Sequence, residues 1–388
     1  MERAGRVSLL DGLKGWRDRL IASGRFQRAA AAFPLTRGIA NRRARQLFDL
    51  TAGFVYSQIL SACVRLDLFA ILAEGPQGTG QVALRTGLSH AAAERLLEAA
   101  VALGLVARRS RGRYGLGQLG AALIGNPGVV AMIAHHDMLY RDLADPVALL
   151  RGETWPTEIG QFWAYARDPD KHGIGAERVA DYSRLMATSQ QFIAGDVLDA
   201  LDLRGVRRLL DIGGGEGAFL IHAARRAPHL ELRLFDLPPV AERARARFAE
   251  AGLSARAVAA GGDFFADPLP QGADAVSLIR VIYDHDDDFA RRVLGRAREA
   301  VAPGGRLILA EPMAGAKGAE PVGAYFGFYL AAMGSGRARR PEELVALVRE
   351  AGFEDARVLR TRRPMLTGLI TARAPRAAPR SVVNRHDM

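Results

Sequence analysis

From residue 207 onward, acidic side chains recur where short apolar runs end, each placed to meet one part of a nucleotide. Leu209-Leu210-Asp211-Ile212 leads straight into Gly213-Gly214-Gly215-Glu216-Gly217. Glycine is the residue that lets a backbone come close to a bound cofactor. Asp211, two residues before the first glycine, adds a negative charge suited to a cofactor carrying a cation. Asp236 closes the next run, with Leu237-Pro238-Pro239 after it. A carboxylate there can accept both hydroxyls of a ribose. Asp263 and Phe264 follow the third run, offering a carboxylate to an adenine amino group and an aromatic face to its ring. Arg280 and Tyr283-Asp284-His285 follow the fourth. S-adenosylmethionine, a sulfonium nucleotide, matches this set. NAD is the alternative, because Gly213-x-Gly215-x-x-Ala218 has the spacing of a dinucleotide fingerprint. NAD needs helix-terminal amides for a pyrophosphate. The Asp211 strand end, the Asp263-Phe264 pair and the late position of these runs favour the sulfonium.

The elements that must hold these residues alternate strictly. Strands are expected at 207–212, 231–235, 256–259, 275–279 and 306–310, and helices at 218–226, 240–251 and 289–301. That rhythm predicts a mostly parallel, doubly wound Rossmann-like sheet with its ligand at the carboxyl ends of the strands. A helix at 342–351 and an antiparallel pair, 357–361 with 367–372, would close it. Upstream, a long helical pattern runs from Ala44 to about Leu72, followed by two short helices at 82–86 and 91–103, with Ser89 as an N-cap. Strands at 105–108 and 113–116 then complete a winged-helix layout. The second of the short helices carries Arg95 as its one cation, too few for reading a groove, so nucleic acid is not the expected partner. The expected divisions are a basic arm 1–43, a helical dimerisation and substrate domain 44–195, a cofactor-binding domain 196–372 and a basic tail 373–388.

The chain has 388 residues and a net charge of +11. Residues 1–50 hold eleven Lys/Arg against four Asp/Glu, and 373–388 hold four Arg against one Asp, so the body between is nearly neutral. In the arm, Leu9, Leu10, Leu13, Trp16, Leu20 and Ile21 fall at helical spacing with Lys14, Arg17 and Arg19 on other faces. Such a helix suits an anionic membrane surface or a partner subunit. The single cysteine, Cys63, excludes an internal disulfide and fits a reducing compartment. The apolar stretch 53–72 is broken by Arg65 and Asp67, so no transmembrane helix is read. A cytoplasmic protein with peripheral membrane contact is the expectation.

Four motifs in order carry a resemblance: Leu210-Asp211-Ile212-Gly213-Gly214-Gly215-Glu216-Gly217, Phe235-Asp236-Leu237-Pro238, Gly262-Asp263-Phe264-Phe265 and Glu311-Pro312. They resemble the plant-type small-molecule O-methyltransferases over roughly residues 46–372, including Asp181-Tyr182-Ser183-Arg184-Leu185-Met186. Within that family, 33–40, Phe54-Val55-Tyr56-Ser57-Gln58 and Tyr283-Asp284-His285 resemble the bacterial carotenoid methyltransferases, which act on 1-hydroxylated acyclic carotenoids. The resemblance implies a homodimer, a winged-helix dimerisation domain and a Rossmann-like catalytic domain. It also implies S-adenosylmethionine held by Asp211, Gly213, Gly215, Asp236, Leu237, Asp263, Phe264 and Arg280, and a large apolar substrate. Methylation of phenols or polyketides is the alternative activity, and a nucleotide-responsive winged-helix regulator the alternative class.

One departure concerns the catalytic base. The family reads Leu-Lys-x-x-Leu-His-Asp-Trp after the fourth strand, with the His as base. Here Arg280 stands at the Lys, Tyr283 at the His and His285 at the Trp. Either His285 accepts the proton from two residues along, or the reaction lacks a classical imidazole base. A tertiary alcohol is far less acidic than a phenol, so proton loss can come late, with alignment supplying most of the catalysis. Carboxylates in Asp284–Asp288 would favour a protonated His285. Glu311 matches the acid that orients the base, whereas the second such acid is replaced by Ala338. Met186 aligns with a substrate-packing methionine, and His135 or His136 is expected to line the substrate pocket. No His pair has the i,i+4 spacing of a zinc site, so no metal is expected.

Overall fold

The computed structural model describes residues 9–163, 193–315, 320–364 and 366–376. The chain divides into two compact units, Met1–Gly125 and Asn126–Met388. The first contains α1 (Leu9–Ala22), α2 (Gly24–Ala32), α3 (Pro34–Arg65), α4 (Leu68–Ala73), α5 (Thr79–Thr86), α6 (His90–Ala102), β1 (Val106–Arg109), β2 (Arg113–Leu116) and α7 (Gln118–Ile124). The helix–turn–helix and hairpin are present, with the Ser89 hydroxyl accepting from the Ala92 amide and Val106 registered opposite Leu116. Cys63, Leu68, Leu72, Val82, Leu97 and Leu105 form its core. Burial pushes the Cys63 thiol up to about 12, leaving an inert core residue.

The expected arm boundary at 43 falls inside α3. Pro34 sits at the first helical turn, where its fixed φ favours helix initiation, so one helix runs through to Arg65. It ends there because Asp67 turns into the left-handed region, φ 51°. Among the described residues α3 alone has the length and apolarity to cross a bilayer, with a best-window mean hydropathy of 1.4. The apolar stretch thus lies N-terminal to the charges at Arg65 and Asp67. Leu47, Phe48, Leu50 and Phe54 are exposed along it.

The second unit begins with α8 (Pro127–Asp142), α9 (Pro146–Arg151), α10 (Glu158–Phe162) and α11 (193–199). It continues through β3 (Arg208–Ile212), α12 (Ala218–Arg226), β4 (Glu231–Asp236), α13 (Pro238–Glu250), β5 (Ala257–Gly261), β6 (Ala273–Ile279), α14 (Asp287–Ala300) and β7 (Val301–Glu311). It ends with α15 (Glu320–Met333), α16 (Pro341–Glu350), β8 (Glu354–Leu359) and β9 (Gly368–Arg373). The boundary at Gly125, rather than 195, has a packing cause: Leu139, Leu149, Ile159 and Trp163 share a core with Tyr329, Leu330 and Met333 of α15.

The sheet order is β5-β4-β3-β6-β7-β9-β8, parallel except for β9, which is antiparallel to both β7 and β8. Side chains alternate between its two faces. Leu209, Leu232, Leu234 and Ile308 pack on one face with Phe219 of α12 and Phe248 of α13. Leu210, Ile212, Val276 and Leu309 pack on the other with Val293 and Leu294 of α14 and Leu347 of α16. Chain order reverses between β3 and β6, which opens the crevice where such sheets bind ligands.

Candidate active site

Asp211 is one residue from the end of β3 and shares the face of Leu209. Register places Ser277 of β6 directly opposite it, and the Ser277 hydroxyl donates to Asp211 Oδ1 at 2.6 Å. Oδ2 is buried and has no hydrogen-bond partner among the described residues. Burial pushes this carboxyl up to about 7, with the nearby charge of Asp236 adding to the shift.

The glycine loop follows at once. The Gly213 amide donates to Phe235 O at 2.8 Å. The Gly215 amide donates to Asp236 Oδ2 at 2.8 Å, and Leu237, at the N-terminus of α13, donates its own amide to Oδ1 at 2.7 Å. Asp236 is therefore fixed by two amides, and burial pushes it up to about 6 against their opposing pull. Gly214 has no room for a side chain, since a Cβ there would lie 2.7 Å from Asp211 Oδ2. Gly215 faces open space, with nothing within 4 Å of where its Cβ would be. Glu216, which the sequence reading passed over, anchors the loop to α13 through Arg243 at 3.1 Å and Arg247 at 3.0 Å.

These features fit a sulfonium nucleotide. An orphaned buried carboxylate oxygen, a loop closed to side chains at Gly214 and open at Gly215, and a second carboxylate with spare lone pairs stand at the ends of two neighbouring strands. Two neighbouring acids that burial holds above their ordinary range call for a cation, and a pyrophosphate would be repelled there.

Asp263 and Phe264 stand at the next strand end. The Asp263 amide donates to Asp267 Oδ2, and Asp263 Oδ1 accepts from the Phe265 amide, both at 2.8 Å. Phe264, Phe265 and Phe289 make an edge-to-face cluster with centroid distances of 4.7–5.8 Å. His285 belongs to this cluster, its ring stacked on Phe289 at 3.4 Å and 14°. The expectation that acidic neighbours protonate His285 is corrected here. Burial pushes its imidazole down to about 4; Asp286 opposes that shift and Arg339 adds to it. Arg339 is 1% exposed and donates to Ile282 O and His285 O at 2.8 Å and to Asp287 at 2.7 Å. It clamps the whole turn, and burial outweighs the local acid.

Tyr283 lies in a different aromatic group, 5.6 Å from Phe326. Its hydroxyl is buried and without a partner among the described residues, and burial raises its pKa, so it stays a phenol. It lines a small pocket with Pro312, Met313, Val322, Phe326 and Ala338. Glu311 Oε1 accepts the Val281 and Ile282 amides at 2.9 Å each, while Oε2 is buried without a partner among the described residues. Burial pushes this carboxyl up to about 8. Glu311 thus orients the turn's backbone. Arg280 enters the turn with φ 58°, in the left-handed region, its amide donating to Ala310 O at 2.8 Å. Its positive charge acts on Tyr283, Asp284, Glu311 and Tyr325 alike.

His136 Nε2 is 2.6 Å from Tyr325 Oη, and His135 Nε2 is 2.7 Å from Tyr329 Oη, which also accepts from Trp163 Nε1 at 2.8 Å. Burial drives His135 down to about 4 and lowers His136. The partners on α15 were not foreseen: a tyrosine almost two hundred residues away leaves no local signal. Met186 lies outside the described residues.

Comparison with known proteins agrees with this geometry. An O-methyltransferase domain profile matches residues 140–354, and an O-methyltransferase dimerisation domain profile matches residues 48–126. A demethylspheroidene O-methyltransferase of Cereibacter sphaeroides is 47% identical over 370 residues, covering 93% of this chain and 95% of that one. The enzyme of the same name from Rhodobacter capsulatus is 44% identical, covering 95% and 92%. Among solved structures, human N-acetylserotonin methyltransferase in complex with S-adenosylmethionine superposes with a TM-score of 0.72 at 25% identity, covering 86% and 98%. The chain belongs to the O-methyltransferase family and is an S-adenosylmethionine-dependent O-methyltransferase with the family's dimerisation domain.

Proposed function

We propose that this enzyme methylates the tertiary 1-hydroxyl of an acyclic hydroxycarotenoid, on the route to spheroidene, as a homodimer. The observation that carries the reading is the residue at the family's base position. A buried phenol, Tyr283, stands there beside an apolar pocket. A phenolic substrate needs a base to ionise it, whereas a tertiary alcohol reacts neutral and needs a donor to hold its oxygen. The relatives that bear the name demethylspheroidene O-methyltransferase support the same choice.

The bound cofactor supplies an electrophilic methyl group. The chain supplies the rest. Asp211, Gly213, Gly215, Asp236 and Leu237 hold one end of the nucleotide; Asp263, Phe264, Phe289 and His285 form the face for its base. Arg280 and Tyr283 bound the hydroxyl's position, and the aromatic walls exclude water, which strengthens every charge interaction inside. His285, stacked on Phe289, acts here as a platform residue. Mass spectrometry of products from purified protein with labelled cofactor, offered hydroxyneurosporene and a catechol panel in parallel, tests the reading. Methylation of catechols alone would refute it.

A polyene resides in a bilayer, and the first helix supports peripheral docking on the cytoplasmic face of a membrane. Leu10, Leu13 and Trp16 are 60–67% exposed on α1, beside Lys14, Arg17 and Arg19. Deleting residues 1–33, upstream of α3, is expected to reduce pelleting with anionic vesicles without slowing turnover of detergent-solubilised substrate. Unchanged pelleting with a lost dimer would assign the arm to the partner subunit.

A further inference from the structure

We propose that the proton released from the substrate hydroxyl passes to Tyr325 Oη and on to His136 Nε2. The proposal rests on the methyl-transfer reading above and assigns that reaction an acceptor.

Bonding a methyl group to an alcohol oxygen leaves a surplus proton on that oxygen, and the residues at the family's base positions do not take it. Tyr283 remains a phenol. Glu311, pushed up to about 8, is already protonated at neutral pH. Asp284 is the rival acceptor: burial pushes its carboxyl up to about 6 against the opposing charge of Arg280, and an acid limb lost in D284N instead of H136Q overturns the relay. His285 is turned onto Phe289, in the aromatic cluster of Phe264.

His136 is the imidazole left on the substrate side. Its Nε2 lies 2.6 Å from the Tyr325 hydroxyl. Tyr325 packs 5.1 Å from Phe326, whose ring lies 5.6 Å from Tyr283. Arg280 acts on both Tyr283 and Tyr325, which places the two phenols in one electrostatic environment. His135 differs from His136 in its bonding. Its tyrosine, Tyr329, accepts from Trp163 and is 6% exposed, so that pair is closed and structural. Tyr325 is half-buried, and once its own proton points at His136 its oxygen can receive another.

The balance is complete. The carbon–oxygen bond forms as the carbon–sulfur bond breaks, and the sulfur keeps the electron pair. The substrate proton moves to Tyr325 while the Tyr325 proton moves to His136. The positive charge lost at sulfur reappears on the imidazole, so the net charge of the water-poor site does not change. A protonated ether is so strong an acid that an imidazole of lowered basicity still accepts readily. The groups placed against His136 are His135 and Tyr140 on α8 and Tyr325 on α15.

Single-turnover rates on hydroxyneurosporene from pH 5 to 9, with S-adenosylmethionine kept saturating at every pH, for H136Q, Y325F and the double variant, test the relay. Each single variant should slow methyl transfer by on the order of 100-fold. The double variant should be no slower than the slower single one, because the residues act as one unit. The wild-type rate should be level at high pH and fall only below the ordinary imidazole value of 6.5, and this acid limb should vanish in H136Q. Calorimetry with S-adenosylhomocysteine should show affinities within about threefold of wild type. A variant within threefold of the wild-type rate, or an acid limb that survives in H136Q, overturns the relay. A parallel readout needs no substrate. Nitrogen-15 spectra of the histidines should show His136 Nε2 unprotonated and accepting from Tyr325, with its resonance moved in Y325F; a protonated Nε2 overturns the relay. A wild type inert on the carotenoid but with the expected tautomer sinks the substrate assignment and leaves the pair standing.

Discussion

Asp211 is 1% exposed, with one oxygen bonded to Ser277 and the other unpartnered among the described residues. In the free enzyme its carboxyl titrates near pH 7, against an ordinary value of 3.8. A sulfonium cation in the crevice favours the ionised form and brings the pKa back down. A unit charge about 5 Å away, at an effective dielectric constant of about 20, is worth roughly 3 kcal/mol, or about two pH units. The sign follows from linkage. Because the complex has the lower pKa, affinity is complete above pH 7 and is lost as pH falls below it, by up to about tenfold per unit. Between pH 8 and pH 5, S-adenosylmethionine should therefore bind up to about 100-fold more weakly, with Asp236 adding to the loss. S-adenosylhomocysteine, which lacks the sulfonium charge, should weaken much less. Isothermal titration in buffers of different ionisation enthalpy reads both quantities, and near pH 6.5 roughly one proton should be released per S-adenosylmethionine bound. In D211N that proton release should fall to the part Asp236 supplies, leaving weaker binding with a shallower pH dependence. Equal slopes for the two ligands, or a flat profile in the wild type, would refute the idea that these strand-end acids serve the cation.

Three further substitutions test other parts of the site. H285Q removes a ring stacked on Phe289 and should raise the KM for S-adenosylmethionine about 2–10-fold, the size of an aromatic stacking term. Its single-turnover rate at saturating cofactor should stay within about threefold, whereas a proton acceptor would show the opposite split. G217A forces a side chain onto a backbone at φ 78°, with its Cβ 2.4 Å from Phe248 Cε1. Left-handed strain and overpacking together should cost about 2–4 kcal/mol, seen as a fall in Tm of roughly 3–7 °C; an unchanged Tm would mean the loop relaxes freely. R339M removes the clamp on the Ile282 and His285 carbonyls and leaves Asp287 without it. A loss of about 3–5 kcal/mol in urea unfolding is expected, together with loss of methyl transfer, and a stable, active variant would show that the turn holds itself.

The central parallel strands were legible because β3, β6 and the inner half of β7 are buried on both faces and read as continuous apolar runs. Ser89, Asp211 and Asp236 were legible for a related reason: capping and strand-end positions are local, set within a few residues. Helix α15 was not. Glu320–Met333 is apolar on all sides and contains Gly323 and Gly327, so it has no polar face from which to read a helical period. His285 shows the same limit in electrostatics. Its neighbours in sequence are acids, yet burial overrides them, and its carbonyl is held by Arg339, 54 residues further on. The strained φ of Arg280 likewise reflects the β6–β7 junction, where its amide must reach Ala310 O. Each miss is a pairing across the fold. The site therefore separates along the same line: cofactor residues sit on consecutive strand ends and announce themselves by spacing, while the handling of the substrate proton depends on contacts between α8, α15 and the sheet. That division explains how the family's base position can become Tyr283 without loss of activity. Once the substrate is an alcohol, the acceptor need only be reachable by one hydroxyl, and Tyr325, 189 residues from His136 in the chain, meets that condition at 2.6 Å.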